Sequence, residues 1–412
     1  MGVRHPRKRQ PAIEFRAGLI DDGDDHPLVI DLEALVALQA VRGENMLKTK
    51  IRTHRPSDAS PVNAVHDVLY ENARLYPMDP SLPSMEDTCF AVTDGRFSAI
   101  GAPVPATRRV DLQGRMVLPG LVDCHTHLVF AGDRSAEHAL RLSGASYEEI
   151  ARSGGGILAT VEAVRNASED ALVESALPRA RSLVREGVTT LEIKSGYGLD
   201  TVTELKMLRA IRRLDEHLPI RVRATFLGAH AVPPGRSKGD YLREVVDEML
   251  PAVAEAGLAD AVDIFVESIA FDIADLECLA ARTRELALPL RIHSEQLSAM
   301  GGSAAGARLG ALSCDHLEYA DGNDIAAMAK NDTVAVLLPG AFYFLRETRR
   351  PPVAALRRAG VRMAVASDLN PGSSPIPSLL ICAHMACTFF GLSALEVVEA
   401  ITRHGAIRSW AA

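Results

Sequence analysis

Two histidines stand two residues apart in Asp123-Cys-His-Thr-His127, directly after the apolar run Met116-Val-Leu-Pro-Gly-Leu-Val122. Side chains on a strand alternate at period two, so His125 and His127 project to one side. Two imidazoles at a strand's end can grip one divalent metal, which points to a metal-dependent hydrolase. The plainer reading is that two of thirteen histidines fall two apart by chance and sit satisfied in a core.

Other residues supply partners for this pair. His293, closing Leu290-Arg-Ile-His293, adds a third neutral nitrogen. Asp368 sits in Ala366-Ser-Asp-Leu-Asn-Pro-Gly-Ser373, where a strand runs into a Gly/Pro turn, and offers a carboxylate oxygen. Three or four such ligands with one position left for water suit catalytic Zn2+ and also Fe2+. The metal lowers the pKa of its bound water from 15.7 to roughly 7. Asp368 can touch the metal and accept a proton from that water; its plainer role is a helix cap or turn. His316, closing Ser313-Cys-Asp-His316, can orient the water or polarise a carbonyl. Arg134, seven residues past His127, has the planar fork that captures a carboxylate and so implies an acidic substrate. A surface salt bridge is the bland alternative.

Eight apolar, β-branched runs position these residues: 121–127, 189–194, 221–230, 261–267, 290–293, 311–316, 333–338 and 362–367. Stretches of helical period lie between them, such as 171–186, 202–217, 241–256 and 275–286. Eight alternations argue for an α/β fold: a TIM-like (β/α)8 barrel over residues 118–405, rather than an open doubly wound sheet. Run after run ends in a residue able to bind metal or substrate: His127, Lys194, His230, Glu267, His293, His316 and Asp368. Such barrels build their active sites at the C-terminal ends of the strands, so these residues are expected on one rim.

Ahead of the barrel, residues 61–117 read as a small β domain. Its strands are Val68-Leu-Tyr-Glu-Asn-Ala-Arg-Leu75, Cys89-Phe-Ala-Val-Thr93, Phe97-Ser-Ala-Ile100 and Arg109-Val-Asp-Leu-Gln-Gly114, with a turn at Asp94-Gly95. Residues 1–60 open with Arg4, Arg7, Lys8 and Arg9, pass Asp21-Asp-Gly-Asp-Asp25, and offer one stretch, 28–41, that fits a short helix. They read as an irregular, solvated extension rather than an interaction arm. Residues 406–412 read as a truncated tail. Gly154-Gly-Gly156 is too short and wrongly placed for a phosphate loop, and reads as part of a flexible cover.

Composition bounds the partners. The chain has 412 residues, 47% of them hydrophobic and 24% charged, and a net charge of -8, which gives no support for nucleic-acid binding. No apolar run reaches the eighteen or so residues of a membrane span, and no secretory signal opens the chain. Six cysteines without a Cys-x-x-Cys pair read as reduced thiols of a cytoplasmic protein.

Five segments carry a resemblance: residues 123–134, Lys194-Ser-Gly-Tyr-Gly-Leu-Asp200, Phe226-Leu-Gly-Ala-His230, Ser313-Cys-Asp-His-Leu-Glu318 and Ser367-Asp-Leu-Asn-Pro-Gly-Ser-Ser374. In this order they resemble the imidazolonepropionase family of the amidohydrolase superfamily, over about residues 66–400. His-Thr-His is shared across the superfamily; Ser-Gly-Tyr-Gly followed by Asp-Leu-Asn-Pro-Gly-Ser is not. The resemblance implies hydrolysis of 4-imidazolone-5-propanoate to N-formimidoyl-L-glutamate in L-histidine degradation. It also implies one Zn2+ or Fe3+ per subunit, held by His125, His127, His293 and Asp368, in a homodimer. Arg134, helped by Tyr147, would bind the propanoate carboxylate, while Tyr197 and His230 hold the ring. Asn370, Gly372 and Ser373 would line the far side. Asp368 would carry the proton from water to the leaving nitrogen, with His316 steadying the water.

Three departures bear on these expectations. Gln296 stands where related deaminases carry a catalytic Glu; it can hydrogen-bond the substrate but cannot transfer a proton. Lys194 is no candidate for the carbamylated lysine of two-metal relatives, which implies a single ion. Family members usually continue with strands that complete a small sandwich, whereas this sequence ends at Ser409-Trp-Ala-Ala412, so an incomplete β-sandwich is expected. Two competing readings stand beside the first. One is another amidohydrolase or deaminase acting on a small cyclic amide or amidine. The other is a truncated, weakly active remnant with a binding role.

Overall fold

The computed structural model describes residues 65–144 and 155–406. The extension at 1–60 with its expected helix, Tyr147, Gly154, and all but the first residue of the 406–412 tail lie outside the described residues.

The first sheet has five strands: β1 (His66–Leu75), β2 (Met85–Thr93), β3 (Arg96–Ile100), β4 (Ala106–Asp111) and β5 (Met116–Val117). Their order is β3-β2-β1-β4, and β5 also pairs with β1. β2 runs antiparallel to both β1 and β3, whereas β4 and β5 run parallel to β1. Asp94 and Gly95, at φ 53° and 68°, make the two-residue connection between β2 and β3. Positive φ at both positions is what a type I′ hairpin turn requires. One face of the sheet buries Tyr70 stacked on Phe90, ring centroids 4.8 Å apart; the other buries Leu69 and Ala91.

Each of the eight apolar runs gives one strand of a parallel barrel. In chain order these are β6 (Leu121–Asp123), β7 (Val188–Lys194), β8 (Arg221–Ala229), β9 (Ala261–Val266), β10 (Leu290–Ser294), β11 (Ser313–His316), β12 (Val334–Leu337) and β13 (Met363–Val365). The seam between the first and last of them is closed just beyond their ends. There the Asp368 N–H donates to the His125 carbonyl at 3.0 Å, and the His127 N–H to the Leu369 carbonyl at 2.9 Å. The Asp123 carboxylate accepts the Ser367 N–H at 3.0 Å and its hydroxyl at 2.6 Å. Burial pushes Asp123 up to about 7, against those two bonds. Closing the barrel therefore fixes the backbone of three candidate ligands.

Helices cover the barrel, among them α1 (Ser135–Leu142), α2 (Ile157–Asn166), α3 (Glu169–Arg185) and α4 (Thr201–His217). Leu172, Ala176 and Leu183 of α3 and Met207, Ile211 and Leu214 of α4 share one core with Val188, Leu191 and Ile193 of β7. The stretch of helical period at 241–256 is helical but not uniformly α: Lys238–Glu244 runs into a π turn at Val245–Met249 and then into Leu250–Glu255. Pro251 has no N–H and its ring crowds the carbonyl four residues back, so the chain widens there. Among the described residues no helix is long and apolar enough to cross a membrane.

Candidate active site

His125 and His127 follow β6, His293 lies in β10, and Asp368 follows β13. Nε2 of His127 stands 3.3 Å from Nε2 of His125 and 3.3 Å from Nε2 of His293. Asp368 Oδ1 is 3.4 Å from His125 Nε2 and 3.6 Å from His127 Nε2. Donors about 2.0–2.2 Å from a zinc ion, spread tetrahedrally, stand roughly 3.3–3.6 Å apart, so the spacing fits one ion.

The chemistry of the donors agrees. His125 Nδ1 meets Asp315 Oδ2 at 2.6 Å, and His293 Nδ1 meets Asp263 Oδ1 at 3.0 Å. A carboxylate only accepts, so both Nδ1 atoms carry the proton, and in the neutral rings that bind metal both Nε2 atoms present lone pairs. His127 can offer a proton to only one of its two neighbours. At least one pair then sets lone pair against lone pair unless a cation lies between them. The donor set fits zinc or iron.

Burial, with Lys194 beside His125 and His230 beside His127, holds both rings well below the ordinary histidine range. Burial and His293 do the same to His316, and desolvation with His293 brings His230 down to about 4. All four rings are neutral at pH 7, the form that binds metal. Burial drives Asp368 well above the usual carboxylate range, against Asn370 and Lys194. A cation among the Nε2 atoms reverses that preference. Asp368 and His316 both take positive φ, 51° and 85°, a strained backbone that tends to persist where function holds it.

Under the ligands lies a sealed layer of charge. Lys194 Nζ is 2.8 Å from Glu192 Oε1 and 2.9 Å from Asp263 Oδ2. Arg291 donates from Nη2 to the Cys124 carbonyl at 2.8 Å and to Asp315 Oδ2 at 3.1 Å. The Thr126 N–H reaches Glu192 Oε2 at 3.1 Å. Burial favours a neutral Asp263, but His293 and Lys194 outweigh it and hold the carboxylate well below its usual range. Three carboxylates against two cationic groups leave a balance that favours a positive ion above them.

A cavity of about 180 Å³ opens over the ligands. Of the sequence-predicted site residues, His127, Arg134, Tyr197, His230, His293, Gln296, His316, Asp368, Asn370, Gly372 and Ser373 line it. His125 is fully buried behind them. Gly156, Ile157, Phe265 and Leu345 complete the wall.

Buried carboxylates shape the loops that present these residues. Glu204 of α4 accepts the N–H groups of Gly196 at 2.9 Å, Gly198 at 2.7 Å and Leu199 at 2.9 Å, and so folds the Tyr197 loop around itself. Gly196 sits at φ 108°, where a Cβ would stand 2.9 Å from the Leu227 carbonyl oxygen. Its own carbonyl accepts from His230 Nδ1 at 2.9 Å, leaving His230 Nε2 as an acceptor. Glu295 caps the helix Gly302–Arg308 through the N–H groups of Gly302 at 2.8 Å and Ser303 at 2.7 Å, placing Gln296 at the cavity wall. Asn370 spends its amide on its own loop: Nδ2 donates to the Asp368 carbonyl at 2.7 Å, and Oδ1 accepts the Ser373 N–H at 2.7 Å.

Arg134 forms an ion pair with Glu137, though not an exposed one: Nε and Nη2 reach the carboxylate at 2.8 and 2.6 Å. Its Nη1 lies against Gly372. Two members of the expected rim are corrected. Lys194 is locked beneath the ligands by Glu192 and Asp263. Glu267 turns to the backbone, accepting the Ser268 and Leu297 N–H groups at 2.8 Å each. Gly156, expected within a flexible cover, donates its N–H to Glu137 at 2.8 Å.

Sequence reasoning missed Asp263, Asp315, Glu192, Arg291, Glu137 and Glu204. A signal existed for some of them: Arg291 stands two before His293, and Glu192 two before Lys194, each a charge set between Leu and Ile. Nothing in the loop sequences announces Glu204.

No family model matches the chain. Among solved structures, a 5-methylcytosine deaminase from Klebsiella pneumoniae is similar at TM-score 0.62 and 16% identity, over 82% of this chain and 85% of that one. An adenosine deaminase from Xanthomonas campestris with bound zinc is similar at TM-score 0.57 and 18% identity, over 83% and 79%. At such identities the likeness is one of fold. The sequence relatives are nearer. An imidazolonepropionase of a Bradyrhizobium species is 53% identical over 352 residues, 82% of this chain and 87% of its own length. Imidazolonepropionases of a Methylobacterium species and of Pseudomonas putida are each 54% identical, covering 82% of this chain and 87% and 86% of theirs. At this identity over most of both chains, the chain belongs to the imidazolonepropionase family.

Proposed function

We propose that this chain hydrolyses the cyclic amide of 4-imidazolone-5-propanoate to N-formimidoyl-L-glutamate, in histidine degradation. One juxtaposition carries the reading: three metal donors, His127, His293 and Asp368, border a single cavity of about 180 Å³ together with the Arg134 guanidinium, and the fourth donor, His125, lies buried behind them. His125, His127, His293 and Asp368 would hold one Zn2+ or Fe3+ ion, which when bound supplies a Lewis acid that activates water and polarises a carbonyl at neutral pH.

The remaining work falls to the chain's own groups. Arg134 takes the substrate carboxylate, with Tyr147 as a second contact. Tyr197 packs against the ring, and His230 accepts a ring N–H at Nε2, its Nδ1 being committed to Gly196. Asp368 accepts a proton from the attacking water and returns it to the ring nitrogen as the C–N bond breaks. His316, neutral, steadies that water. Gln296 hydrogen-bonds the ring without exchanging protons. Asn370, Gly372 and Ser373 shape the far wall. A cytoplasmic location and a homodimer complete the reading.

Relatives 53–54% identical carry the imidazolonepropionase name, which favours this reading over another cyclic-amide hydrolase or deaminase and over an inactive remnant. The test is direct: purified, metal-loaded chain is given 4-imidazolone-5-propanoate, and loss of imidazolone absorbance is followed beside product. Stoichiometric N-formimidoylglutamate is expected. A folded, metal-loaded protein that leaves the substrate intact overturns the proposal.

A further inference from the structure

We propose that Glu137 is a positioning residue for carboxylate recognition: it fixes the Arg134 guanidinium and so sets how strongly the site prefers an acidic side chain over its neutral counterpart. The inference deepens the reading of Arg134 as the carboxylate clamp and rests on it.

Glu137 lies in the first turn of α1, three residues after Arg134. Its two oxygens take the Nε and Nη2 atoms of Arg134 at 2.8 and 2.6 Å, a side-on pairing that commits one edge of the guanidinium. The pair is largely out of water, with side-chain exposures of 12% and 8%. The same carboxylate accepts the Gly156 N–H at 2.8 Å. The loop after β6, helix α1 and the entry to α2 therefore meet on one group. On its other side Nη1 is bounded by Gly372, where even a methyl group would collide. The guanidinium is gripped along one edge, stopped at another, and borders the cavity.

Two opposing effects follow from this grip. An arginine ordered before the ligand arrives loses no rotamer freedom on binding, so affinity gains. The Glu137 charge also offsets the guanidinium charge, which weakens its pull on anions in general. Recognition then depends on N–H donors aimed at a planar carboxylate rather than on bulk positive charge. Of the two effects, the pre-ordering is the larger.

The experiment compares the parent with Glu137→Gln, Arg134→Ala and the double variant. KM and kcat are measured for 4-imidazolone-5-propanoate, and inhibition constants for 3-(imidazol-4-yl)propanoate and its carboxamide. For Glu137→Gln, KM is expected to be about tenfold higher, kcat within about threefold, and the carboxylate-over-carboxamide preference cut about tenfold. Added to Arg134→Ala, the same change should leave KM and the preference where they are. A merely structural role would weaken both inhibitors alike and add to Arg134→Ala, overturning the inference. An unchanged or lower KM for Glu137→Gln, beside an Arg134→Ala that abolishes the preference, overturns it while sparing the clamp. An Arg134→Ala with the parent's KM and preference removes the clamp and the inference with it. Should Glu137→Gln not fold, Glu137→Asp draws the carboxylate back by one methylene and is expected to cut the same preference.

Discussion

A methyl group added at Gly372 would meet Nη1 of Arg134, the far end of a long side chain, rather than backbone. The side chain gives way more easily than the loop does. Gly372→Ala is therefore expected to raise KM for imidazolone propanoate about tenfold with little change in melting temperature, because a misplaced guanidinium loses its aim. Steady-state kinetics and a thermal melt check it; an unchanged KM would show that the approach is irrelevant to binding. Asp368→Asn keeps an oxygen near the ligands but removes the proton acceptor. Its kcat should fall by about 100-fold or more at saturating substrate. A kcat near the parent's would remove Asp368 from the proton path. The convergence of His125, His127, His293 and Asp368 was legible in the sequence because few residue types bind metal and these end apolar runs. Asp263 and Asp315 were not singled out, since a carboxylate within a strand has many ordinary roles and its partner lies on a neighbouring strand.

At the scale of elements, the loops above the barrel are held by carboxylates that come from elsewhere. Glu204 satisfies three loop N–H groups from within α4. Glu204→Ala would leave those donors buried and unpartnered, at about 1–3 kcal/mol each before relaxation. A loss of about 2–4 kcal/mol in urea unfolding is expected, with Tyr197 unseated and KM raised. A variant as stable as the parent would contradict the cradle. The strands were readable because apolar, β-branched runs between helical stretches admit little else. The loops were not, because their shape depends on Glu204, Glu267 and Glu295, and a buried acid looks like a surface acid in sequence. At 241–256 the helical period read from the sequence holds, but it does not disclose the π turn at Val245–Met249 ahead of Pro251.

For the molecule as a whole, eight runs in order sufficed for the barrel, and the polar seam at Asp123 and Ser367 ties its closure to the site. Global stability should also carry the mark of one acid that the reaction does not use. Glu318 is buried, and that burial pushes it up to about 8. In the unfolded chain it ionises near about 4.3, so between these values the folded state binds more protons. Its contribution is fully present below the lower value and is lost as pH rises through about 8. Glu318→Gln should flatten the fall in melting temperature between about pH 5 and about pH 9. An equally steep fall in the variant would contradict the assignment.

Side chains from the ends of β6, β10 and β13 are expected to share one ion that the hydrolysis needs. Anomalous diffraction from active crystals, collected across the absorption edge of the bound metal, tests it most directly. One peak is expected about 2.0–2.2 Å from Nε2 of His125, His127 and His293 and from an oxygen of Asp368. A peak elsewhere, or none, in crystals that still consume imidazolone propanoate would contradict it.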